Sequence, residues 1–174
     1  MSSRPDVLCN AGPLIALGKL NRLEVLSELY GEVQIPRAVY DEVVTSGLTK
    51  GASDAMTVCL FLRYREWPIV DVTPALLASY EPSVILDAGE KAVLALAQTM
   101  GSPLVLLDDE VARSEARRLG LQLRGTLGII VKACQEKILT LGQTELLMHE
   151  ISARRDIWIS SKLCKQVLSE LRRR

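Results

Sequence analysis

The residues best suited to chemistry stand where apolar segments end. Asn10 follows Val7-Leu8-Cys9, and Asp108-Asp109 follow the apolar run Leu104–Leu107. Glu42 lies on the stretch opened by Pro36, after the apolar segment Val33–Ile35, and Glu90 stands in the first turn of the helix that precedes Leu104. In open α/β sheets the ligand site lies beyond the carboxyl ends of the strands, where the strand order reverses. A doubly wound sheet would turn these positions toward one cleft. Carboxylates gathered there repel one another, so protons or a cation must balance them. Hard oxygen ligands of this kind suit Mg2+ or Mn2+. Such an ion can lower the pKa of a bound water and stabilise charge on a scissile phosphate.

Each residue also has a plainer reading. Asp87 and Glu90 have capping-box spacing, in which the first caps a helix and the second reaches back to the cap. Asp41 and Glu42 have the look of solvated charges on a surface helix. Asp109 can cap the helix that follows it. The Asp108-Asp109 pair is the strongest pointer to a site, because two charges directly after a buried strand are costly without a purpose. On the next helix, Arg113 and Arg117 are placed to meet phosphate, although a solvated face is the default for such charges.

The elements that must position these groups follow from pattern. Val7–Cys9 is a short strand, Pro13 suits the first turn of a helix, and Asn21 is expected to cap a second helix that Gly31 stops. Val33–Ile35 is the next strand, and Val39, Val43 and Val44 give the helix after Pro36 its apolar side. Ser46–Ser53 reads as the loosest segment. Ala52–Arg65 is predicted helical, Trp67–Val72 extended and Pro74–Tyr80 briefly helical. A helix over Lys91–Met100 ends at Gly101, and Leu104–Leu107 has the continuous apolar character of a strand buried on both faces. A helix at Ala112–Leu119, a weak strand at Gln122–Leu123 and a helix at Thr126–Glu136 follow. Two closing helices, Thr144–Arg154 and Ser161–Arg174, have apolar sides at Leu146, Leu147 and Ile151 and at Leu163, Val167 and Leu171. Strands alternating with helices indicate an α/β fold with a mainly parallel sheet, with residues 1–140 as the domain and 141–174 as a helical extension packed on it.

Composition narrows the classes. The 174 residues suffice for one domain, and 48% hydrophobic with 24% charged residues rules out whole-chain disorder. Twenty-one basic residues balance 21 acidic ones, so no global field attracts nucleic acid. The second half is mildly basic, which is compatible with an acidic pocket and a basic rim. Cys9, Cys59, Cys134 and Cys164 are far apart and His149 is the single histidine, which nearly excludes zinc, a disulfide framework and histidine-based triads. No apolar run is long enough for a membrane span, and a cytoplasmic location is expected. Trp67 and Trp158 read as core or edge aromatics, and with 4% aromatic residues no base-stacking platform is visible.

The ordered set of motifs resembles the PIN-domain family, in its uncharacterised prokaryotic branch. The resemblance is carried by Val7-Leu8-Cys9-Asn10-Ala11-Gly12-Pro13-Leu14-Ile15, Ile35-Pro36-Arg37-Ala38-Val39-Tyr40-Asp41-Glu42-Val43, Leu86-Asp87-Ala88-Gly89-Glu90 and Leu106-Leu107-Asp108-Asp109, with Ala116–Leu121 and Gly125-Thr126-Leu127-Gly128 beyond. It covers about residues 6–140. It implies a three-layer α/β/α fold with a short parallel sheet, and a cleft of acids binding Mg2+ or Mn2+. Such proteins are typically metal-dependent ribonucleases, including toxins of toxin–antitoxin pairs. The resemblance assigns catalytic roles to Glu42, Glu90 and Asp108, and metal binding to these with Asn10 and Asp109.

Asn10 is the departure, since the family has Asp there, and the hydroxyl residues after it are replaced by Ala11 and Gly12. Asn keeps one neutral carbonyl oxygen, so shape survives while a negative charge is lost. The preferred reading is a weakened endoribonuclease acting on RNA, with a small antitoxin protein as a further partner and a homodimer expected. The alternative is a degenerate relative that binds RNA or a protein without cutting. A phosphoacceptor receiver domain ranks lower, because its Asp pair ends the first strand and here the pair follows a late one.

Overall fold

A computed structural model describes residues 5–173 of the chain. The shortest apolar runs form its centre. Strand β1 (Val7–Cys9) pairs in parallel with β4 (Leu104–Leu106), with Leu8 opposite Val105, and β4 pairs in parallel with β5 (Gln122–Arg124). Strands β2 (Ile35–Pro36) and β3 (Ile69–Val70) form a second parallel pair. A parallel bridge between Leu8 and Gln34 sets the two pairings side by side, in the order β3-β2-β1-β4-β5. The order reverses between β1 and β4, which is where α/β sheets place their ligands. Every residue of β1 and β4 is buried, as their unbroken apolar sequence requires, and Leu107 is fully buried too. At the edge, β5 carries the exposed Gln122 and tolerates polar residues.

Helices surround this small sheet. They are α1 (Ala11–Lys19), α2 (Glu24–Tyr30), α3 (Arg37–Tyr40), α4 (Gly47–Thr49), α5 (Ser53–Arg65), α6 (Pro74–Ser79), α7 (Ala88–Ala97), α8 (Glu110–Arg118), α9 (Thr126–Gln135), α10 (Leu141–Ala153) and α11 (Ser161–Arg172). Val39, Val43 and Val44 are buried as their spacing predicts, and α7 packs on β1, β2 and α3. The capping box at Asp87 and Glu90 is present in both directions, with Glu90 N–H donating to Asp87 Oδ1 at 2.8 Å and Asp87 N–H to Glu90 Oε2 at 2.9 Å.

Several expectations are corrected. Asn21 caps nothing: it is left-handed (φ 54°) in the turn that ends α1, where its N–H donates to the Gly18 carbonyl, and α2 starts after Leu23. A turn only a few residues long leaves Asn21 the closing position rather than the opening one. Ser46–Ser53 is not loose. A π-helical segment (Asp41–Ser46) joins α3 to α4, and Gly47 lies so close to α5 that a Cβ there would stand 2.8 Å from that of Ala55. Gly47 is thus a contact point between α4 and α5. On α10, Leu147, Met148 and Ile151 face inward while Leu146 is exposed. In the tail, Arg172 donates to Glu145 at 2.7 Å and ties α11 to α10, while Arg174 lies outside the described residues. Trp67 is buried, with its indole N–H donating to the Gly31 carbonyl at 3.2 Å, whereas Trp158 is 95% exposed. Among the described residues, no helix is long and apolar enough to cross a membrane.

A buried acid that sequence pattern did not single out holds the chain between α6 and α7. Glu115 on α8 is almost wholly occluded, and its carboxylate accepts from Tyr80 Oη at 3.0 Å, from the Ser83 amide at 3.2 Å, from the Ser83 hydroxyl and from Arg118. The Arg118 guanidinium and the Ser83 donors hold this carboxyl well below the ordinary range. The segment it anchors leads directly into Asp87.

Candidate functional site

Asn10 occupies the position before α1, where an Asn side chain ordinarily accepts a hydrogen bond from the first turn. Here it makes no such bond. Its backbone is tied to β4, its N–H donating to the Leu106 carbonyl at 3.0 Å. Its Oδ1 is buried and has no hydrogen-bond partner among the described residues. A buried acceptor without a donor costs about 1–3 kcal/mol, so the oxygen is held in place by the surrounding fold rather than by a bond of its own.

Gly89, in the first turn of α7, shows what that oxygen faces. A Cβ on Gly89 would stand 3.0 Å from Glu42 Oε2, 3.3 Å from Asn10 Oδ1 and 3.4 Å from Asp87 Oδ1. Three oxygens from three elements therefore surround one small hollow that a side chain at this position would fill. The π-helical segment places Glu42 there. Such segments are rare and recur at functional sites. Glu42 is exposed as a residue, but its inward end is withdrawn from water, and this burial, followed by the charge of Asp87, raises its carboxyl above the ordinary range. Glu90 lies behind the hollow, buried and bonded to the Asp87 amide. Burial raises its carboxyl pKa first, and the charges of Asp87, Asp109 and Glu42 raise it further, against the lowering effect of that amide.

Asp108 stands in a second group, between the first turn of α1 and the start of α9. Thr126, fully buried, donates its amide to Asp108 Oδ1 at 2.7 Å and its hydroxyl to Oδ2 at 2.6 Å. A Cβ on Gly12 would lie 3.1 Å from Oδ2, and one on Gly125 would lie 2.9 Å from Oδ1. Burial raises the Asp108 carboxyl above its ordinary range, while the Thr126 donors and the Arg113 charge pull the other way. Asp109 caps α8, its Oδ1 accepting from the Ala112 amide at 2.9 Å. Arg113 donates to the Leu107 carbonyl at 2.7 Å and pairs with Glu110 at 3.6 Å, and Arg117 pairs with the same Glu110 at 2.7 Å. The two guanidinium groups thus share one acid, and Arg113 also braces the end of β4 next to Asp108.

Among the described residues, no three Asp, Glu, His or Cys side chains stand close enough to hold one ion. The hollow at Gly89 offers two carboxylates and one amide oxygen instead. Such a donor set fits Mg2+ or Mn2+, which are commonly bound through one or two carboxylates while keeping several waters. The orphaned Asn10 oxygen and the raised Glu42 and Glu90 carboxyls are the features a cation would relieve. Sequence reasoning treated Asp87 as a cap alone and gave Thr126 no role. The capping-box spacing concealed the outer face of Asp87, and the only signal for Thr126 was its place in the Gly125-Thr126-Leu127-Gly128 motif.

A family model described as a PIN domain matches residues 6–173, nearly the whole chain and including α10 and α11. No curated protein matches it.

Proposed function

Because the chain belongs to the PIN-domain family, whose members are generally nucleases, we propose that it is a divalent-metal-dependent endoribonuclease weakened by Asn10. The observation that carries this reading is the unpartnered Asn10 Oδ1, which faces the same hollow as Glu42 and Asp87 at the reversal of strand order. Asn10, Glu42 and Asp87 would hold Mg2+ or Mn2+, with Glu90 behind them and Asp108 and Asp109 beyond. When bound, the ion supplies positive charge for the scissile phosphate and acidifies a bound water. Thr126 holds Asp108 in one orientation, and its donors favour the ionised form that can take a proton from the attacking water. Burial first, and the charge of Asp87 with it, raises the Glu42 and Glu90 carboxyls, and a cation held beside them would lower both again.

Incubation of the full chain with unstructured RNA tests this. Cleavage in Mn2+ that stops with EDTA, and with Asp108→Asn, is the expected result. Metal-independent cleavage that Asp108→Asn does not touch would reject it. A toxin role with a small antitoxin as partner extends the proposal, supported by the branch of the family the motifs resemble, and an antitoxin gene beside this one is its expected sign. A second reading is favoured by one observation, the neutral amide at position 10. On that reading the protein binds RNA or a protein partner without cutting, and cleavage stays absent in every metal while binding persists.

A further inference from the structure

The segment between α10 and α11 carries a feature that the metal-binding hollow does not use. Trp158 is 95% exposed, although a tryptophan side chain is among the largest apolar surfaces a chain has. It is not on a loose loop. Arg154 grips both oxygens of Asp156, at 2.9 and 2.8 Å, and also donates to the Lys19 carbonyl at 2.9 Å. Lys19 Nζ donates back to the Asp156 carbonyl at 2.6 Å. Ile157 is buried, the Ile159 amide closes a tight turn onto the Ile157 carbonyl at 3.0 Å, and Ser160 caps α11. The neighbours of Trp158 are fixed on both sides while the indole itself is left in water.

Trp158 lies between two grooves that it lines together with Asp108 and Ile159. One, of about 490 Å³, runs past Arg113, Arg124 and Thr126, and the other, of about 250 Å³, runs past Gly12 and Lys19. Exposed cations flank the turn in sequence: Arg155 and Lys162 make no ion pair among the described residues. An indole exposed to water on a turn whose backbone is held on both sides, and flanked by basic residues, matches the requirements of an unpaired nucleobase with its phosphates. Stacking of a base on an aromatic ring needs only the π-face, so it tolerates any base but excludes a paired one.

We infer that Trp158 stacks on an unpaired base of the bound RNA, with the adjoining phosphates toward Arg155 and Lys162, so that the protein selects an unpaired strand. The inference rests on the reading of the chain as an RNA-acting protein and adds the residue that selects the unpaired strand. Its test uses the full chain carrying Trp67→Phe, so that Trp158 alone fluoresces, titrated in EDTA with a short single-stranded RNA. The same strand lacking one base and the corresponding duplex serve as comparisons. Quenching by the single strand and not by the duplex is expected. Trp158→Ala should weaken single-strand binding roughly ten-fold, and Trp158→Tyr should restore most of it. Quenching without any cleavage in Mn2+ would sustain this inference while removing the nuclease reading. Cleavage of RNA by the wild type with no quenching, or with unchanged affinity in Trp158→Ala, would overturn the inference and leave the nuclease reading standing. If Trp158→Ala altered only self-association or the binding of a protein partner, the indole would be a protein contact and the inference would again be overturned.

Discussion

Thr126 grips Asp108 at both carboxylate oxygens, through its amide at 2.7 Å and its hydroxyl at 2.6 Å. The pair joins the end of the central strand to the first turn of α9, so the orientation of the acid is set by another element's backbone. Both bonds are to the charged form, which they favour against the burial that raises the Asp108 pKa.

Replacing the hydroxyl is therefore a titration experiment. Thr126→Val keeps the shape and the amide but removes one donor to the carboxylate, so the Asp108 pKa should rise further. The acid limb of the pH–rate profile should move to higher pH, while Thr126→Ser should return it. An unchanged limb in Thr126→Val would show that Asp108 ionisation does not limit the reaction.

The same burial sets a sign for stability. The folded-state pKa of Asp108 is raised, so its contribution is fully present below its unfolded pKa and is lost as pH rises through the folded one. The metal-free protein should thus lose more stability than Asp108→Asn as pH rises from the ordinary carboxylate range through the raised Asp108 pKa. Thermal melts of both proteins across that range, in EDTA, check the difference, and parallel curves would refute it. Glu115 works in the opposite direction, because Arg118 and Ser83 depress its pKa, so the comparison must be between variants and not within one curve.

Gly89 separates folding from metal binding. Alanine is a better helix former than glycine by about 1 kcal/mol, and this residue lies within α7. Its methyl group would nevertheless enter the hollow among Glu42, Asn10 and Asp87. Gly89→Ala should leave metal-free stability within about 1 kcal/mol of wild type yet weaken Mn2+ binding about ten-fold or more, equivalent to about 1.4 kcal/mol. Calorimetric titration with Mn2+ gives the answer; equal affinity would place the ion elsewhere.

Asn10→Asp adds a charge where the residue is buried and two carboxylates are already near. Without metal, an unpaired buried charge should destabilise the fold by on the order of 3 kcal/mol, roughly 6–12 °C in Tm for a chain of this size. Mn2+ should recover that loss and bind more tightly than in the wild type, and cleavage should increase. A variant that is neither destabilised in EDTA nor tightened toward Mn2+ would show that position 10 does not face the ion.

The boundary between what sequence determines and what tertiary structure decides runs through these residues. The order of strands and helices, the buried character of β1 and β4 and the Asp87–Glu90 capping box were all legible, because each rests on local periodicity or on spacing within one helical turn. So were Asn10 and Asp108 as candidates, since strand ends are visible as the ends of apolar runs, and Glu42 and Glu90 through their places on helices and the motifs that resemble the family. Grouping them was not legible. Gly89 brings Glu42 of a π-helical segment against Asn10 of a strand end, and Thr126 reaches Asp108 across 18 positions of sequence. The same limit applies to Trp158, whose exposure depends on the Arg154, Asp156 and Lys19 contacts that hold the turn beneath it. Local pattern reports what a residue does within its own element. Which carboxylates share a hollow, and which indole is left in water, follow from contacts between elements distant in sequence, and only the packed chain decides those.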